Sequence, residues 1–178
     1  MKVVAIVTFL FISLFSSEKD EIKIEWNESE KLTWGDFQGP RSKGPGYAAS
    51  SSTGISFIYS VKWYGDNFDL DYSVKCHFYP EDSWYDRSSA SVYILKHEQT
   101  HFDISELHAR ILRKLIAEAN FSKNLKTEIK AIYKEVEKQR GEMQHRFDTE
   151  TDHSIKKENE YLWEEFVATK LRAYDSWK

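Results

Sequence analysis

Residues 91–120 carry apolar side chains at helical spacing, and the stripe they define also holds two histidines and a glutamate. Val92-Tyr93-Ile94-Leu95 leads in, and Phe102, Ile104, Leu107, Ile111, Leu112, Leu115 and Ile116 follow, which predicts a long, half-buried helix. Within it, His97-Glu98-Gln99-Thr100-His101 reads H-E-x-x-H. A chain that turns these side chains inward must supply them with a partner, because buried polar groups without one are costly. The two imidazoles lie on one face, roughly 6 Å apart along the axis. That spacing suits a shared Zn²⁺, with Glu98 beside it as general base toward a water.

A catalytic zinc site takes a third protein ligand and keeps one position open. The metzincin extension needs glycine at 104 and histidine at 107, where this chain has Ile104 and Leu107. His108 shares the face but stands about 10 Å farther along the axis, and Glu118 roughly 25 Å away. His108 therefore reads as a polar position on a long helix. The third ligand is expected from residues 144–153, a segment with two histidines and three acids that joins two predicted helices. His153, at the expected start of the last helix, is favoured, with His145 and Glu150 as rivals.

At 178 residues and 40% hydrophobic composition, the chain is sized for one domain with a sizeable core. A net charge of −4 gives no electrostatic footprint for nucleic acid, and a monomer is expected. Residues 1–17 read as a secretory signal: Lys2, an apolar run from Val3 to Phe15, then Ser16 and Ser17 before a charged stretch. The domain proper is then 18–178, secreted or periplasmic, with membrane attachment only if the N-terminal segment stays uncleaved. Cys76 is the only cysteine. It alternates with apolar neighbours and reads as a core residue, and an exported chain without a disulfide fits a bacterial setting.

Ile55 to Tyr64 and Phe68 to Tyr79 alternate as two strands around a Gly65-Asp66-Asn67 turn. Glu81 to Ser89 reads as a polar link. Three helices are expected at about 91–120, 123–146 and 153–173. The second turns Ile129, Ile132, Tyr133, Val136 and Met143 inward. The third turns in Ile155, Asn159, Leu162, Trp163, Phe166 and Val167. Strands followed by helices indicate an α+β fold: a small N-terminal antiparallel hairpin or sheet packed on three long C-terminal helices, with the motif on the first.

Leu32-Thr33-Trp34 with Asp36-Phe37 and Gly39, the segment Ala48 to Tyr59, His97-Glu98-x-x-His101-Phe102-Asp103-Ile104, and Phe147-Asp148-x-x-Thr151-x-His153 together resemble a family of secreted bacterial zinc peptidases catalogued as domain of unknown function 922. The resemblance spans most of residues 18–178, and the motif helix is its specific part. It implies a zincin-like fold and a metal-dependent peptidase. It supports His97 and His101 as ligands and Glu98 as base, and draws attention to Asp148 and His153. Phe147 and Ser154 depart from the family's usual Tyr and Gly. If that Tyr hydroxyl serves catalysis in relatives, this chain uses another donor. Asp103 matches the family and is a candidate to orient an imidazole.

The expected function is a secreted zinc-dependent peptidase acting on a peptide or protein substrate, Zn²⁺ being held by His97, His101 and His153. His145, Arg146 and Tyr161 are candidate oxyanion donors, and a hairpin edge from Phe68 to Tyr79 could hold an extended peptide. The alternatives are an inactive zincin-like module that binds through Trp34, Trp63 and Trp84, a zinc hydrolase acting on cell-wall cross-links, and a metal-free helical interaction protein.

Overall fold

The computed structural model describes residues 22–41 and 46–178. The expected signal segment, residues 1–17, lies outside the described residues. Among the described residues a small antiparallel sheet is followed by three helices, the expected α+β order. No described helix is long and apolar enough to cross a membrane.

Strands β3 (Thr53–Tyr64) and β4 (Asn67–Phe78) form one long hairpin. Its register, Tyr64↔Asn67 through Ile55↔Cys76 to Thr53↔Phe78, follows from period-2 alternation. It aligns Phe57 with Val74, Tyr59 with Tyr72 and Val61 with Leu70 on one face. The two-residue turn uses Gly65 at φ +64°, a conformation that glycine adopts without penalty. The short strand β1 (Ile24–Glu25) pairs with the far end of β4. A second, two-stranded sheet joins β2 (Ala49–Ser50) to β5 (Trp84–Tyr85), so the expected link 81–89 carries a strand. Its seating depends on Gly39, whose N–H donates to Ser83 O at 2.7 Å. A Cβ there would meet Glu81 O at 2.5 Å.

Helix α1 (Val92–Glu118) begins at Ser91, whose hydroxyl accepts from Ile94 N–H. It is the central element, with the hairpin on one side and α2 (Leu125–Thr151) and α3 (Lys157–Ala173) on the others. The apolar face of the hairpin, including the buried Cys76, packs with Phe102, Leu112 and Ile116 of α1 and Ile129 and Val136 of α2. A second core joins Ile104 and Leu107 to Phe147, Trp163, Val167 and Leu171.

Two helix boundaries differ from expectation. Residues 147–151, expected in a link beyond a helix ending near 146, continue α2 to Thr151. Phe147 and Thr151 are fully buried one turn apart, and Thr151 Oγ1 donates back to Phe147 O, so this polar stretch has an inner face after all. Helix α3 starts at Lys157 rather than at 153, and its inner stripe is Glu160, Trp163, Val167 and Leu171. Ile155, Leu162 and Phe166, expected inward, are exposed. The stripe rotates because a carboxylate, Glu160, has a buried partner on α1.

Candidate metal centre

His97 and His101 point from α1 into a cleft bounded by residues 46–53 on one side and the end of α2 on the other. The cavity is about 1050 Å³. Each imidazole is fixed through its Nδ1. Both carboxylate oxygens of the fully buried Glu160 lie 3.0 Å from His97 Nδ1. A carboxylate only accepts, so that nitrogen carries the proton. Gln144 Oε1 accepts from His101 Nδ1, while Gln144 Nε2 donates to His101 O at 2.8 Å and to Ser105 Oγ at 3.2 Å. With each Nδ1 engaged, both Nε2 atoms face the cleft. Phe147 stacks on His97, with ring centroids 4.5 Å apart, and meets His101 edge-on at 4.9 Å, so both rings rest on one aromatic floor.

The two Nε2 atoms are 3.2 Å apart, and Asp148 Oδ1 lies 3.4 Å from that of His97 and 3.0 Å from that of His101. Among the described residues, His97, His101 and Asp148 are the group able to hold a metal ion. Tetrahedral ligands at zinc distances stand about 3.3 Å from one another, so the spacing and the donor types both fit a divalent cation. Asp148 reaches the site because it stands one turn after Gln144 on α2, in the part of that helix beyond its expected end near 146.

Burial alone would pull the His97 proton affinity down, but hydrogen bonds to Asp148 and Glu160 outweigh it and lift the pKa to about 9. Burial raises the Asp148 carboxyl, and the hydrogen bonds from His101 and His97 overcome this and hold it well below the usual range. The raised His97 stabilises the metal-free fold fully below about 6.5, and this contribution is lost as pH rises through about 9. The depressed Asp148 stabilises it above about 3.8, and that is lost as pH falls. Metal-free protein should therefore lose thermal stability between pH 6.5 and 9, whereas metal affinity should rise over that interval as His97 sheds its proton. Melting temperatures with and without added zinc check both slopes.

Glu98 lines the same cavity, is only 4% exposed, and makes no hydrogen bond or ion pair with another described residue. His153 also lines the cavity but stands outside the triangle, 45% exposed, with Nδ1 3.7 Å from Asp148 Oδ1 and its ring against Tyr47. It belongs to a turn in which Asp152, His153 and Ser154 all have positive φ. His145 is exposed and Glu150 is engaged with Trp163 and Arg146, both away from the cleft. The candidate donors Arg146 and Tyr161 do not line the cleft either: Arg146 lies over Trp163, and Tyr161 is exposed beside Tyr93.

Asp103 does not orient an imidazole. It accepts from Trp26 Nε1 at 2.7 Å and Gln99 Nε2 at 2.8 Å, and Gln99 Oε1 in turn accepts from Leu32 N–H. Gln99, inside the motif, and Asp103, one turn later, thus tie the N-terminal stretch to α1. His108 is buried and bonded to Ile104 O, distant from the cleft. Glu160 and Gln144 escape sequence reading because their partners lie 63 and 43 residues away. The spacing of Glu160 with Trp163 and Val167 was the available signal.

Residues 80–154 match the family described as bacterial protein of unknown function (DUF922). The match covers β5, α1, α2 and the turn that holds His153, and supports the resemblance carried by the motif helix. No curated protein and no solved structure matches the chain.

Proposed function

We propose that this protein is a zinc-dependent peptidase of zincin-like architecture. The observation that carries the reading is the convergence of two Nε2 atoms and a carboxylate oxygen within 3.4 Å of one another, with the buried carboxylate of Glu98, from the same helix, lining the same cavity. His97 and His101 hold the ion, and the third ligand comes from the Asp148–His153 pair. Asp148 Oδ1 stands in the triangle, and His153 is one side-chain movement from it. A bound Zn²⁺ supplies Lewis acidity toward the scissile carbonyl and makes water more acidic. Glu98 takes the proton from the attacking water and returns it to the leaving nitrogen.

The edge available to a peptide is residues 46–53, not the expected Phe68–Tyr79, none of which lines the cleft. Asp86 N–H donates to Ala48 O and Tyr79 N–H to Ser52 O. Ala49 and Ser51, which line the cavity, therefore turn their backbone groups to the opposite edge, where an extended chain can add as a strand. The aromatic-surface alternative is weaker. Trp84 is buried, Trp34 stacks on Tyr85 at 4.6 Å, and of the three only Trp63 is exposed, at 44%.

The test is metal analysis of protein purified without chelators, then peptide-library cleavage with and without a chelator. One zinc per chain and chelator-sensitive cleavage support the proposal. A metal-free protein sinks it, and iron in place of zinc would point to oxidative chemistry at a two-histidine, one-carboxylate site.

A further inference from the structure

Arg140 is the only lysine or arginine among the described residues that line the cleft. It sits two turns before Asp148 on the same face of α2, with Gln144 between them. Glu137 holds its guanidinium by the Nε and Nη2 edge, at 3.0 and 2.8 Å, which fixes the plane of the fork. The Nη1 corner is differently placed. Its contacts, Thr53 O and Ser105 Oγ, are both at 3.4 Å, at the outer limit of a hydrogen bond. An oriented donor, largely buried yet opening on the cavity and weakly satisfied at one corner, is built to receive an acceptor from outside.

We propose that Arg140 is a specificity residue that binds a carboxylate side chain of the peptide substrate. The inference rests on the peptidase reading and names the substrate class of the same site. Within the cleft lining, Arg140 touches Thr53, and Tyr47 and His153 are in ring contact with each other. The eight residues from Arg140 to Asp148 correspond to roughly 12 Å along the helix. Extended chain covers about 3.3 Å per residue, so the recognised Asp or Glu lies two to four residues from the bond over the metal. Gln144 reaches both Ser105, which Arg140 also touches, and the ligand His101, so an acid at Arg140 is bound within one hydrogen-bonded frame with the metal site.

The probe is a set of extended peptides in matched pairs, each pair differing by Glu against Gln at one position. Binding to the zinc-loaded Glu98→Gln protein is read by fluorescence anisotropy. The expected result is about tenfold tighter binding of the Glu member at one position only. Arg140→Gln should reduce that ratio to near one, and Arg140→Lys should restore part of it. Equal binding of Glu and Gln members at every position by the protein with Arg140 intact overturns this proposal and leaves the peptidase reading standing. Binding of no peptide by zinc-loaded protein overturns both.

Discussion

Glu98→Gln should keep the full zinc content of the parent and lose peptide cleavage by about 10²–10⁴-fold. The carboxylate lies outside the donor triangle of His97, His101 and Asp148, so the amide leaves the ligands untouched. Glu98 is 4% exposed, and an amide of the same shape fills the same space, so stability should also stay close to parental. What changes is the ability to accept a proton, which an amide lacks at any working pH. Zinc per chain by elemental analysis, paired with kcat on a cleaved peptide, separates the possibilities. Loss of zinc along with activity would make Glu98 a ligand rather than a base. Retention of activity would remove it from the chemistry.

Glu160→Ala should weaken zinc binding by about 10–100-fold and destabilise the fold by about 3–5 kcal/mol. Glu160 is 0% exposed, and both of its oxygens engage His97 Nδ1. Truncation leaves a buried imidazole N–H without an acceptor and frees the ring to turn its Nε2 out of the triangle. Glu160→Gln keeps one acceptor and should fall between parent and Glu160→Ala on both measures. Asp103→Ala serves as the contrast. Its partners are Trp26 and Gln99, so it should lower the melting temperature with little effect on zinc affinity. Zinc titration by calorimetry beside thermal unfolding reads the two effects apart. Equal zinc affinity in Glu160→Ala and parent would mean that the imidazole is held by packing on Phe147 alone.

The parts of this protein that rest on local periodicity were readable in the chain. The hairpin register follows from alternation between Ile55 and Phe78, and the His97–Glu98–His101 arrangement follows from one helical turn. The parts that rest on pairing across the molecule were not. Residues 147–151 look largely polar, and only the four-residue interval between Phe147 and Thr151 hints that α2 continues and brings Asp148 to α1. The inner face of α3 was displaced for a similar reason. Hydrophobic pattern assigned Leu162 and Phe166 inward, whereas the imidazole of His97 draws a carboxylate there. Asp103, which the family resemblance makes a candidate to orient an imidazole, instead anchors Trp26.

The run of positive φ at Asp152, His153 and Ser154 bears on how this protein divides stability between its scaffold and its rim. Non-glycine residues held left-handed each carry a penalty of about 1–2 kcal/mol, and His153 rests on that tension like a sprung latch. A glycine in place of Ser154 would relax the turn and let the histidine wander. With serine there, the left-handed turn that places His153 in the cavity lining is held at a cost in folding stability.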